Sequence, residues 1–94
     1  MAVVSKNVAM TGSAVQLGTK GTFARWIVFC NAAAAAQAVG DANVSLTQGV
    51  PLAATTGSYL FPALGDVSQH YDLGQWYGIG TNGQNMTVIY DAMN

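Results

Sequence analysis

Charge is what this chain has least of. Only 7% of its 94 residues are charged, against about 25% in an ordinary soluble domain, and the acidic residues are all aspartate. The three basic residues, Lys6, Lys20 and Arg25, are scattered, and the net charge is −1. No basic stripe exists to track a phosphate backbone, which excludes nucleic acid as a partner. Cysteine is almost missing as well: Cys30 stands alone, so neither an intrachain disulfide nor a thiolate zinc site can be built. A single histidine, His70, with no glutamate anywhere leaves a closed transition-metal site short of ligands. No apolar run approaches the length of a membrane span, so no membrane partner is expected. The N-terminus lacks a basic region followed by an apolar core, and we expect synthesis in the cytosol without a secretory leader.

What is present is apolar: 51% of the residues are hydrophobic. Surface scaling gives a chain of this mass roughly 5,000 Å² of surface when folded, enough for one modest core. Free monomers keep themselves soluble with interspersed charge. A domain this poor in charge is expected to have much of its outside covered by copies of itself or by other proteins.

The most sheet-like stretch is Thr22 to Asn31, Thr-Phe-Ala-Arg-Trp-Ile-Val-Phe-Cys-Asn. At period two, Phe23, Arg25, Ile27 and Phe29 share one face and Ala24, Trp26, Val28 and Cys30 the other. Both faces are apolar from Trp26 onward, which predicts a central strand covered on both sides. Arg25 interrupts near the start, where its stem can lie over apolar surface while the guanidinium reaches solvent or a partner chain. The expected core is Trp26, Ile27, Val28, Phe29, Leu73 and Val88.

Before this strand, Met1 to Leu17 reads as one or two short strands or an extended N-terminal arm, and Leu17 to Gly21 as a turn. After it, two readings compete for residues 32 to 39. Asn31, five alanines and Gly40 have the propensity of a short capped helix. A turn followed by a strand over Gln37 to Val39 is preferred, because so short a helix is marginal and alanine has little to bury. Residues 40 to 52 read as irregular edge strands and loops, with Asp41 and Asn43 closing their own turn. Ser58 to Phe61 is a strand that Pro62 ends, and Gly65 to His70 a polar loop. Asn82-Gly83 between Trp76–Gly80 and Asn85–Tyr90 predicts a C-terminal hairpin. Together these point to one domain over residues 1–94: an all-β sandwich or jelly-roll-like barrel of short antiparallel strands, with 1–17 as a possible arm.

Catalytic patterns are thin. Gly78-Ile79-Gly80-Thr81-Asn82-Gly83 has the letters of a dinucleotide fingerprint, but a strand follows where a helix N-terminus should hold the pyrophosphate. Asp66, His70 and Asp72 could offer metal ligands or an acid–base pair, yet a solvated loop histidine accounts for them better. No strained serine elbow exists for that histidine to serve. No cofactor, metal or enzymatic activity is expected. Asn43-Val44-Ser45 and Asn85-Met86-Thr87 match the glycosylation pattern incidentally, and Cys30 is expected to be a buried small hydrophobe.

Six aromatics, Tyr59, Phe61, Tyr71, Trp76, Tyr77 and Tyr90, come from the second half. Exposed on a sheet face they would form a platform for sugar rings, the lectin-like alternative. Burial between sheets or subunits is preferred, since charge depletion independently calls for an interface. The interface candidates are Arg25, Tyr59, Phe61, Trp76 and Tyr77.

The order Arg-Trp-Ile-Val-Phe-Cys-Asn (25–31), Val-Gly-Asp-Ala-Asn-Val-Ser (39–45), Gly-Val-Pro-Leu (49–52), Tyr-Asp-Leu-Gly-Gln-Trp-Tyr (71–77) and Thr-Val-Ile-Tyr (87–90) resembles small structural proteins of tailed-phage virions, in particular the capsid decoration or cement class. The likeness spans residues 15 to 90 and lies in strands and turns. It implies a β-sandwich on the capsid surface, often a homotrimer, that clamps neighbouring capsomers through the major capsid protein. The poly-alanine segment departs from the polar loop usual before the Val-Gly-Asp turn. Met1 to Leu17 and Asp91 to Asn94 are then the expected gripping segments. Tail, neck or fibre-attachment roles are the viral alternatives.

Overall fold

The computed structural model describes residues 2–62 and 70–93. Two antiparallel sheets pack into a β-sandwich. The strands are β1 (Ala2–Ala9), β2 (Val15–Gln16), β3 (Phe23–Asn31), β4 (Gln37–Gly40), β5 (Val50–Leu52), β6 (Gly57–Phe61), β7 (Tyr71–Asp72), β8 (Tyr77–Ile79) and β9 (Asn85–Ala92), with a single 3-10 turn at Leu73–Gln75. The larger sheet runs β1-β9-β3-β6, with β7 pairing the start of β3; the smaller runs β2-β8-β4-β5. The accessible surface, 5067 Å², is what the chain's mass demands of one compact body.

β3 is interior to its sheet, between β9 on one edge and β6 and β7 on the other. Its alternation is broken. The register against β9 shifts between Ala24 and Ile27, and the extra residue of such a bulge changes which side chains point inward. Ala24 therefore joins Ile27, Phe29 and Asn31 as fully buried, while Phe23 is 44% exposed. The expectation of a strand covered on both faces is corrected: the second sheet lies on one side only. Trp26, Val28 and Cys30 face the other way and are half-buried. Trp26 and Val28 thus leave the expected core, whereas Ile27, Phe29, Leu73 and Val88 are completely buried in it.

The N-terminal segment takes the strand reading and is no arm. β1 pairs with β9 over eight residues, from Ala2↔Ala92 to Ala9↔Asn85, and Met10 and Leu17 are buried in the core. The alternation Val4, Lys6, Val8 explains it: these residues continue the inner rows set by Tyr90, Val88 and Met86, and burying the two valines outweighs the freedom of a loose tail. Asp91 and Ala92 are likewise the end of β9. Lys6 is half-buried beside Val88 at the sheet's edge, an inward-leaning charge that discourages another strand from adding there.

The predicted C-terminal hairpin is also corrected. β8 belongs to the smaller sheet and β9 to the larger, because β9 already has β1 and β3 on its two edges. The Asn82-Gly83 turn is real: Gly83 has φ +89, and the Gln84 N–H closes it onto the Thr81 carbonyl at 3.1 Å. It carries the chain across the sandwich, and Met10 pins it through its own N–H to the Gln84 carbonyl at 2.7 Å. Within β8, a Cβ on Gly78 would sit 3.0 Å from the Met86 side chain and 3.1 Å from Leu17, so glycine lets the two sheets pack closely here without pushing those side chains aside.

Residues 33 to 35 form bends in the short link to β4, the turn-then-strand reading. Asn31, 1% exposed, is the reason. Its Nδ2 donates to the carbonyls of Ala35 (2.9 Å), Leu52 (3.1 Å) and Ala53 (3.2 Å), and its Oδ1 accepts from the Ala33 N–H (2.9 Å). One buried amide supplies the partners that a helix would have found within itself.

Candidate functional site: an aromatic groove and an outer sheet face

Two surface features stand out, one at the end of the sandwich where β3 begins and one on the outside of the larger sheet. The first is a groove of about 710 Å³, walled by Phe23, Phe61, Tyr71 and Asp72 from the larger sheet, Val39, Gly40 and Val50 from the smaller, and the polar side chains of Asp41, His70 and Gln75. Trp76, Phe61 and Tyr71 form its aromatic wall and continue inward into a string of rings. Tyr59 stacks on Phe29 (centroids 6.3 Å apart), Phe29 meets Trp76 (4.9 Å), Trp76 meets Phe61 edge-on (4.8 Å), and Phe61 meets Tyr71 edge-on (4.8 Å). Tilted and edge-to-face contacts of this kind are favoured by the ring quadrupoles and add to simple area burial.

The loops that carry the polar groups are themselves fixed. Asp72 accepts from the Gly74 N–H (2.9 Å) and the Gly21 N–H (3.0 Å), tying the 3-10 turn to the turn before β3. Asp41 accepts from the Asn43 N–H (2.9 Å), and its carbonyl from the Val44 N–H (3.0 Å), the turn read from the sequence.

The second feature is an apolar face with a simple register. Ile89, Val28 and Leu60 lie side by side across β9, β3 and β6, and Thr87, Cys30 and Ser58 form the next row. Trp26 precedes Val28 on the same side of β3. None of these seven residues is charged, and Leu60 is 43% exposed. Cys30 is half-buried here, which corrects its placement as a buried hydrophobe.

The five interface candidates divide. Phe61 and Trp76 line the groove, and Tyr59 joins them through Phe29. Tyr77 sits apart on β8, paired with Gly40 and Gln16, and Arg25 lies half-buried in β3 where the register shifts. Phe23 at the groove's edge escaped the sequence reading, because the bulge that turns it outward leaves no mark in the residue pattern. The Gly78–Gly83 stretch ends a strand and turns into β9, with no helix to hold a pyrophosphate. Asp66 and the polar loop from residue 65 to 69 lie outside the described residues. Among the described residues no three His, Cys, Asp or Glu side chains gather as metal ligands, and no helix is long and apolar enough to cross a membrane. Comparison with family models, with curated proteins and with solved structures found no match.

Proposed function

We propose that this protein is a non-enzymatic structural component of a phage virion, decorating the capsid shell and stabilising it by binding neighbouring capsomers as a homo-oligomer, most simply a trimer. The observation that carries the reading is the apolar patch of Trp26, Val28, Leu60 and Ile89 on the outer sheet face of a chain with 7% charged residues. Apolar surface of this kind in a charge-poor protein marks a protein–protein contact. The resemblance of residues 15 to 90 to decoration proteins supports a capsid shell as the larger assembly. With β1 built into the sheet, gripping falls to the sheet face and not to a loose tail.

The test is to heat shells of the parent virus with and without the protein. A ligand that binds only the intact shell shifts its opening equilibrium, so bound protein should raise the temperature at which the shells release their contents. A Val28→Ser/Leu60→Ser double variant should fold, remain monomeric in light scattering and lose that protection. Wild-type protein that neither self-associates nor protects shells overturns the reading and favours a tail, neck or fibre-attachment role.

A further inference from the structure

Shell binding through the outer sheet face makes no use of the groove, which lies at the end of the sandwich and gathers the chain's scarce polar chemistry. Of four acidic residues and one histidine in the whole sequence, Asp41, Asp72 and His70 all line it, alongside the exposed amide of Gln75. None of the three basic residues does, so an anion would face two carboxylates with no lysine or arginine to offset them, and a neutral ligand fits better. The aromatic wall is rigid, since Trp76 is held between Phe29 and Phe61. The cavity volume falls within the range of small-molecule sites, roughly 300 to 1,000 Å³, and the pattern of an apolar wall with a few convergent polar groups is theirs too.

We infer that this groove binds a neutral sugar ring. A pyranose has an apolar C–H face suited to the ring wall and a rim of hydroxyls that need acceptors and donors. Carboxylates are the strongest acceptors for such hydroxyls, and each has about four lone-pair sites. The loop N–H groups that already engage Oδ1 of Asp41 and Asp72 orient these carboxylates without exhausting them. The Gln75 amide and the His70 imidazole supply both donor and acceptor atoms. Two carboxylates beside aromatic rings would also suit an organic cation, so the test separates the two chemistries.

The experiment uses the full chain carrying Trp26→Phe, which leaves Trp76 as the single tryptophan reporter. It is titrated with glucose, galactose, N-acetylglucosamine and their disaccharides, and separately with tetramethylammonium. At least one neutral sugar should shift the Trp76 emission saturably. Asp41→Asn keeps an oxygen for the Asn43 N–H, and Gln75→Ala removes an exposed side chain; each should leave the melting temperature unchanged and weaken the sugar roughly tenfold or more. No response to any sugar, a response to tetramethylammonium alone, or undiminished sugar binding by both variants overturns the proposal. The assay contains no shells, so its outcome is independent of the decoration reading.

Discussion

The two faces of β3 are nearly equal in apolar content and opposite in fate. Inward, Ile27, Phe29 and Asn31 are sealed against the smaller sheet; outward, Trp26, Val28 and Cys30 keep part of their surface in water. Side-chain chemistry alone does not separate them, because tryptophan and valine are as suited to a core as isoleucine and phenylalanine. The difference is made by what lies opposite. It teaches that an apolar face on this strand reports the presence of a partner without saying whether that partner belongs to the same chain.

The comparison can be broken from the inside first. Phe29→Ala should cost about 3 to 5 kcal/mol in urea unfolding, since it empties the centre of the ring string; a loss below about 1 kcal/mol would mean the inner face is not the core. Asn31→Ala comes next, at about 2 to 4 kcal/mol, because it strands three carbonyls and one N–H. Trp26→Ala should cost only about 1 to 2 kcal/mol in dilute solution, as a half-buried ring loses part of its transfer energy. If copies of the chain cover the outer face, that penalty grows with protein concentration, and a concentration-independent value would leave the face open in solution. The smallest effect is expected at Lys6→Val: stability within about 0.5 kcal/mol of wild type, but faster aggregation in light scattering once the edge strand loses its charge.

Strands and turns were legible because their signals are local. The period-two run of β3, the Asp41 turn, the stop at Pro62 and the positive-φ glycine of the Asn82-Gly83 turn each depend on residues a few positions apart. Pairings were not. Nothing in residues 76 to 90 reveals that β9 is already occupied on both edges, so a hairpin was read where the chain changes sheets. Residues 1 to 17 read equally as short strands or as an arm, because the partner that decides for the strand, β9, lies at the far end of the sequence. At the groove, Trp76 and Phe61 were legible by residue type alone, as two of the five interface candidates, without any sign that they meet. The convergence of Asp41, His70 and Gln75 beside them is a product of topology, which no spacing in the sequence encodes.

The pairing of β1 with β9 also orders events in time. Ala2 is matched to Ala92 and Ala9 to Asn85, so during synthesis the first strand has no partner until the final strand has left the ribosome. β9 lies between β1 and β3, so the larger sheet cannot be complete before it is made. A contact closing nearly the whole chain carries a large loop-closure entropy, and folds dominated by such contacts form slowly. Until that moment Val4, Val8 and the inner side of β3 have no finished core to enter, which makes the nascent chain, more than the mature domain, the form of this protein most exposed to misassociation.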